Sequence, residues 1–331
     1  MKNMDIFKKT MPFVWTRFGL YLLLGIGIVA YYIIAILLLG LADSGSGFSF
    51  LGFLIFVGGI GIYVAISKYL NYLVKAAHIA VIAELSEKGT VPEGTSIIKY
   101  GKEQVKKRFA TASVFYVLDH LVSGAVSQIQ KVISNVGSWF EQIPGMKIAF
   151  EIINLFVGIV LGYVDEAVLA HIFKKKDESA WKGAADGVVL YFESWKEILK
   201  NAVGLVIFVI AFYLIGGVAV FFLCQGFVAA TIVSDSTWVF IISVVGACLV
   251  INAAKSSFVD SWITISVINR YTQVTMNKQP QFDLYGKAKG WSKKFSNICS
   301  NAEADGAILG APAVSAAGAA QVTQPLQHQH Y

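Results

Sequence analysis

Charge is scarce in this chain. Of its 331 residues 15% are charged and 56% are hydrophobic, and the mean hydropathy is +0.63. A soluble domain normally carries about 25% charged residues, so this composition excludes an ordinary soluble protein and is typical of the membrane class. Because each membrane helix needs roughly 20 residues, the length leaves room for one bundle of about five to seven crossings.

Cysteine is scarce as well. The three cysteines, Cys224, Cys248 and Cys299, form an odd and widely spaced set without a CxxC pair. Such a set excludes a disulfide framework and gives no support to a zinc site. No Asn-x-Ser/Thr sequon occurs. Nothing in the sequence gives a reason to expect a metal or another cofactor.

The motifs of soluble enzymes are missing. The sequence contains no P-loop, no GxSxG and no HExxH, so no known catalytic constellation is present. A membrane hydrolase built on Asp119 and His120 would lack a nucleophile, and we therefore expect no enzyme activity. The net charge of +6 does not predict nucleic acid as a partner, because the basic residues lie at the ends of apolar segments, where membrane topology accounts for them.

Long apolar stretches are what the chain does contain. Crossings are predicted at about 14–42, 48–70, 202–222 and 238–270, and the pattern of 177–200 predicts an amphipathic helix at the membrane interface. We therefore expect an all-α, polytopic transmembrane bundle in an unspecified membrane. Its segments would be an N-terminal hairpin (1–70), a cytoplasmic basic loop (71–108), a core (109–270), a short cytoplasmic helix (271–300) and a disordered tail (301–331).

One further stretch, 147–176, organises this prediction. It has the length of a membrane helix and ends on Lys174, Lys175 and Lys176. At about 100° per residue, one face carries carboxylates beside a small-xxx-small step: Glu151, Gly158, Gly162 and Asp165. A carboxylate inside a membrane is expensive, so Asp165 and its neighbour Glu166 are expected either in a protein interior or at the inner membrane face, neutralised by the three lysines.

Residues 109–133 are ambiguous. The stretch is apolar enough to enter a membrane, yet one helical face collects polar side chains: Tyr116, Asp119, Ser123, Ser127 and Gln130. It is either a polar-lined crossing, with Asp119 and His120 as a cation or proton site, or an amphipathic helix lying on the membrane surface.

Charge counting favours six crossings with both termini cytoplasmic. The pieces 1–17, 68–108, 174–200 and 270–331 would then hold 24 of the 27 basic residues, as the positive-inside rule requires. A four-crossing arrangement, in which 109–133 and 147–176 form a shallow inner hairpin, satisfies the rule equally. The runs Lys106-Lys107-Arg108 and Lys174–Lys176 would mark the inner membrane face or bind anionic lipid headgroups.

The last predicted crossing has a polar stripe every four residues, at Asn252, Ser256, Asp260 and Thr264. Lys255 and Asp260 are five residues apart, which is about 140° on an α-helix, so we do not expect them to pair. Asp260 would then be free to bind a group on another helix.

The second half of the chain resembles a known family. After an amphipathic linker come the sequences LKNAVGLVIFVIAF and SSFVDSWITISVINRY, and the points closest to that family are Asn201-Ala202-Val203 and Val259-Asp260. Over about 110–297 this order is similar to the C-terminal half of the choline-transporter-like proteins. The resemblance implies transport of choline or an ethanolamine-type amine, with Asp260 and Asp119 complementing its charge and Trp262 and Tyr116 as cation–π partners.

We therefore expect a transporter of a small organic cation, choline-like, or of another small solute. The alternative is a non-catalytic membrane scaffold or oligomer-forming protein, whose basic cytoplasmic loops bind lipid headgroups or a partner. The intramembrane carboxylates discriminate between them, because a transporter needs at least one in a water-accessible path.

Overall fold

The computed structural model describes residues 2–41, 47–108, 112–137, 163–200, 203–231 and 235–309, and in these ranges every regular element is helical. The all-α prediction is confirmed. In chain order the helices are α1 (Asn3–Lys9), α2 (Met11–Leu41), α3 (Gly47–Lys88), α4 (Ile97–Arg108), α5 (Ala112–Gly137), α6 (Val164–Lys174), α7 (Ala180–Lys200), α8 (Val203–Ala211), α9 (Gly217–Thr231), α10 (Ser236–Ala254), α11 (Asp260–Thr275), α12 (Phe282–Trp291) and α13 (Lys293–Ala304). Two π-helical segments, Phe212–Gly216 and Lys255–Val259, join α8 to α9 and α10 to α11.

Four stretches of helix are long and apolar enough to cross a membrane: Met11–Leu37, Val57–Lys88, Ile207–Thr231 and Ser236–Thr275. The last of them has 40 residues and α3 has 42. At about 1.5 Å per residue each is about 60 Å long, twice the roughly 30 Å of bilayer hydrocarbon. Both helices must therefore continue well beyond the membrane.

Exposure changes sharply along these two helices. In the first half of α3 large apolar side chains such as Ile62 and Leu70 are exposed, whereas from Ala76 to Leu85 the apolar ones are buried. In the same way α10 exposes Trp238 and α11 buries most of its side chains. Exposed apolar halves suit lipid contact. We call α2, the first half of α3 and α8–α10 the membrane part, and the packed helices that form the rest the helical body.

The helical body has a close-packed apolar core. Helix α7 lies against α6, α11 and α13, and α3 lies against α4, α6 and α11. Tyr191 of α7 stacks on Tyr271 of α11 with ring centroids 6.4 Å apart, and both side chains are almost fully buried. Each large apolar side chain buried in this way contributes about 1.5–3 kcal/mol, so the body is the stable unit of the molecule.

Both ends of the described chain belong to this body. Asn3 of α1 donates a hydrogen bond to Ser266 (3.1 Å) and accepts one from Asn269 (2.6 Å), both on α11. At the other end α13 packs on α5 and α7, and Ser292 donates to the side chain of Gln128 on α5 (2.6 Å). The first and last helices therefore both pack against the helical body.

The structure refines three of the predicted segments. Residues 71–108, expected as a loop, are mostly helical, because α3 continues to Lys88 and α4 follows. The amphipathic stretch 177–200 is a helix, α7, but its apolar residues Val188 and Tyr191 face the body core. The expected single helix near 271–300 is two helices, separated at Ser292, whose hydroxyl caps α13 by accepting from the Phe295 amide (3.0 Å).

Some predictions fall outside the described residues. These are the first part of the stretch 147–176, with Glu151, Gly158 and Gly162, and the tail from residue 310 onward. The side chain of Tyr116 is outside them as well.

Helix α4 approaches α3 more closely than any side chain allows. A Cβ added to Gly101 would lie 2.4 Å from the backbone oxygen of Ala77 and 2.9 Å from the ring of Phe13. The oxygen belongs to the rigid backbone of α3 and cannot yield, so this contact requires glycine.

We expect Gly101→Ala to destabilise the protein by about 1–3 kcal/mol, because the added methyl must push α4 away from α3. Thermal unfolding in detergent measures the change. Gly286→Ala is the matched control: Gly286 lies in α12 and has nothing within 4 Å of its Cβ position. Because alanine has a higher helix propensity than glycine, this control variant should be as stable as the unmodified protein or slightly more stable. Equal melting temperatures for the two variants would contradict the close contact.

Candidate functional site

The most deeply buried ion pair joins α3 to α6. Lys75 Nζ lies 2.7 Å from Glu166 Oε1 and 3.8 Å from Asp165 Oδ2, and the Glu166 side chain is only 2% exposed. Asp165 and Glu166 lie in the first turn of α6, where the helix dipole favours negative charge. Asp119 of α5 interacts electrostatically with both Lys75 and Asp165. Two carboxylates thus pair with Lys75, and a third interacts with it at longer range.

A second ion pair lies where α11 begins. Lys255 Nζ is 3.0 Å from Asp260 Oδ1, and the hydroxyl of Tyr163 donates to the same carboxylate at 2.5 Å. The prediction that Lys255 and Asp260 do not pair is wrong. It assumed α-helical spacing, whereas Lys255–Val259 is π-helical, and in a π-helix residues five apart stand one turn above each other.

Arg17 completes this set of charges. It is 4% exposed, and its guanidinium donates to the hydroxyl of Ser261, the residue after Asp260, at 3.1 Å. Arg17 also interacts electrostatically with Tyr163. Eight residues lie on, or interact with residues on, the parts of α2, α3 and α10–α11 where exposed side chains give way to buried ones. We call them the charged layer: Arg17, Lys75, Asp119, Tyr163, Asp165, Glu166, Lys255 and Asp260.

Helix α3 carries a polar stripe that leads to the charged layer. Ser67, Asn71, Lys75 and His78 fall within an arc of about 80° on the helix. The atoms Ser67 Oγ, Asn71 Oδ1 and His78 Nε2 are buried and lack a hydrogen-bond partner among the described contacts, as does Glu166 Oε2. Buried polar atoms are normally bonded, so the stripe is the least satisfied polar surface of the described chain.

The other residues singled out from the sequence lie elsewhere. His120 is exposed on α5, next to Asp119 but outside the charged layer. Trp262 packs edge-on against Phe7 of α1, with ring centroids 5.6 Å apart. The sequence singled out Asp119, Asp165, Glu166, Lys255 and Asp260. It missed Lys75 and Tyr163, although a lone lysine just after an apolar run was a usable signal.

The basic runs divide into bonded and exposed residues. Arg108 donates to the backbone oxygens of Lys175 (2.7 Å) and Glu178 (2.6 Å), so it caps the end of α6. Lys174 donates to Thr272 (2.5 Å) and Lys176 to Glu84 (3.2 Å). Lys106, Lys107 and Lys175 are exposed.

A separate polar cluster fastens the C-terminal helices to α7. Tyr285 of α12 donates a short hydrogen bond to Asp186, which also pairs with Lys182 at 2.7 Å. Burial and the Asp186 carboxylate together raise the pKa of the Tyr285 hydroxyl. Burial raises the pKa of the neighbouring Cys299 thiol to about 12, so this cysteine is a protonated, unreactive core residue at neutral pH.

In the described part of the chain, no group of three or more His, Cys, Asp or Glu side chains is arranged to hold a metal ion. In the charged layer, Asp165 and Glu166 pair with Lys75 and Asp260 pairs with Lys255 instead.

Lys75 should be the group on which the charged layer depends most. We expect Lys75→Met to destabilise the protein by about 3–5 kcal/mol, because it leaves Glu166 and Asp165 buried without a cation. Thermal unfolding in detergent measures the loss. The double variant Lys75→Met/Glu166→Gln should recover much of it, since the uncompensated charge is then gone. Losses that simply add would show that the two side chains are not coupled.

Comparison with known proteins gives no relative: no family model, no curated protein and no solved structure matches this chain.

Proposed function

We propose that this chain is a membrane scaffold: a set of apolar helices that hold a compact helical body against one face of the bilayer. The observation that carries this proposal is where the charges lie. The buried charged side chains of the described chain bond to groups of the body or of its edge, as Glu166 does to Lys75, Asp186 to Lys182 and Arg17 to the hydroxyl of Ser261, and the apolar helices carry their large side chains outward.

The membrane helices do not resemble the walls of a transport path. In α2 the side chains of Ile33, Ile34, Ile36 and Leu37 are each more than half exposed, and together they cover an arc of about 160° of the helix. This side suits lipid contact, and the other side packs against α3 and α10. A transporter instead encloses polar groups near the bilayer midplane, between its helices.

The polar side chains of α10 support the same conclusion. Ser243 donates to the backbone oxygen of Val239 (2.5 Å) and Asn252 to that of Cys248 (2.7 Å). Each is satisfied by its own helix, one turn back. Neither is directed toward a solute, and both are compatible with a helix that only spans the membrane.

We further propose four crossings, with α5 on the same side as the body; six crossings remain the alternative. Helix α5 buries Leu118, Val122 and Ile129 in the core cluster of the body. Its Gln128 bonds to Ser292, next to the basic helix α13. The positive-inside rule then makes the body, and with it both termini, cytoplasmic.

Transport of a small organic cation is the second candidate, and one observation favours it. Asp119, Asp165 and Glu166 outnumber Lys75, and Glu166 Oε2 has no partner in the described contacts. A choline-like or ethanolamine-type amine would complement the excess negative charge. For this, Lys75 would have to release at least one carboxylate.

A flux measurement distinguishes the scaffold from the transporter. The full chain is reconstituted into liposomes, and uptake of radiolabelled choline and ethanolamine is compared with protein-free liposomes. A scaffold gives equal uptake in both. Uptake above the protein-free value that is lost in Asp165→Asn, but not in the exposed control Asp283→Asn, would replace the scaffold with the transporter.

The crossing number has its own test. Ser127 is exposed on α5 and Ser236 is exposed at the start of α10, at the other end of the membrane part. Each is changed to cysteine in a background without Cys224, Cys248 and Cys299, and intact cells are treated with an impermeant thiol reagent. With four crossings, position 236 is labelled from outside and position 127 only after permeabilisation. Labelling of position 127 in intact cells would instead establish that α5 crosses.

A further inference from the structure

Helix α4 lies at the depth where the membrane part ends. Its Gly101 contacts the backbone of Ala77 and the ring of Phe13. Ala77 is two residues after Lys75 of the charged layer, or about 3 Å along α3. Phe13 is at the start of α2, two residues before the exposed Trp15. Both contacts place the middle of α4 within one helical turn of the membrane boundary.

One face of α4 is fixed against the protein. Tyr100 and Gly101 are buried, and the Tyr100 hydroxyl is hydrogen-bonded to Glu84. Arg108, at the end of α4, is held by the backbone at the end of α6. The helix is thus clamped at its middle and at its C-terminus, and it cannot turn its other face inward.

The opposite face is basic and exposed. Ile98, Lys99, Lys102 and Lys106 are all exposed, and they lie within an arc of about 100° on the side away from Tyr100 and Gly101. Lys99, Lys102 and Lys106 make no ion pair in the described contacts. This face therefore points outward from α3, beside the membrane boundary, and in the described contacts its lysines form no ion pair with Glu103, the neighbouring carboxylate of α4.

We propose that this outward face of α4 binds the headgroups of anionic phospholipids in the bilayer that holds the protein. Exposed lysines next to a membrane are attracted to phosphatidylserine-type headgroups, and their flexible stems let the ammonium reach the phosphate layer. Ile98, which is 41% exposed, supplies an apolar side chain at the same depth. The proposal rests on the scaffold function and names one of its partners.

This surface differs from the one expected from the sequence. The basic run at 106–108 suggested a lipid site made of three consecutive residues. Arg108 bonds to the backbone at the end of α6 and is not part of this surface. Helical spacing instead places Lys99 and Lys102 on the same face as Lys106. Phosphatidylserine is the partner chosen over a free anion because the helix is held at the membrane boundary by Gly101.

Lipid co-purification tests the proposal. The full chain is reconstituted into liposomes of phosphatidylcholine with a minority of phosphatidylserine and then extracted in mild detergent, and the lipids retained by the protein are quantified by mass spectrometry. We expect phosphatidylserine to be enriched over its share in the liposomes. Lys99→Gln/Lys102→Gln should lower that enrichment several-fold, since each lysine near an anionic surface is worth about a fivefold change in binding.

The control removes the same charge elsewhere. Lys287 and Lys293 are exposed on α12 and α13, which pack on α5 and α7 and not on the boundary halves of α2 and α3. Lys287→Gln/Lys293→Gln should keep the enrichment. Equal losses in the two double variants, or none in Lys99→Gln/Lys102→Gln, would overturn the proposal.

Stability and lipid binding are measured separately. Because all four lysines are exposed, both variants should keep the melting temperature of the unmodified chain. Inorganic phosphate added during extraction should not displace the lipid; if it does, the site binds a free anion and the membrane assignment is wrong. A positive choline flux would overturn the scaffold while leaving the lipid result intact, so the two failures are distinguishable.

Discussion

The charge of Glu166 is the constraint on which the rest of the structure depends. A carboxylate that is only 2% exposed in the first turn of α6 is tolerated only with a cation beside it. Lys75 supplies that cation from α3, which fixes the depth of α6 relative to the membrane part. Further charged groups, the pair of Lys255 with Asp260 and Arg17, also lie where their helices change from exposed to buried. The charged layer thus marks the change from exposed to buried side chains along these helices.

The body beyond this layer explains why α3 and α10–α11 are so long. Each helix has one half with exposed apolar side chains, which suits lipid, where helical backbone bonding suffices, and the other half in a packed core. Because the halves are continuous, movement of the body would be transmitted directly to the membrane helices. Helix α4 closes the boundary from the side, and its free face carries lysines where anionic headgroups would lie.

The ion pair of Lys255 with Asp260 shows why α-helical spacing gave one wrong prediction. From the sequence, Lys255 and Asp260 should point in different directions, but a five-residue π segment restores a full turn between them. A π segment costs helix stability and is frequent at functional sites. Here its visible result is an ion pair that neutralises Asp260 and holds it to Tyr163, so a residue proposed for substrate recognition has an internal partner.

The sequence by itself determined the helical class, the long apolar segments and the carboxylates that matter, because hydropathy and helical periodicity are local properties. It placed Asp119, Asp165 and Asp260 among the important residues, yet not their partners, since Lys75 is 90 residues from Asp165. Only the tertiary structure decided that α7 faces a core, that α5 packs against the C-terminal helices, and that Arg108 caps α6 while Lys99 and Lys102 remain free. The physical reason is that an amphipathic helix satisfies its apolar face equally well against lipid or protein, and long-range packing makes that choice.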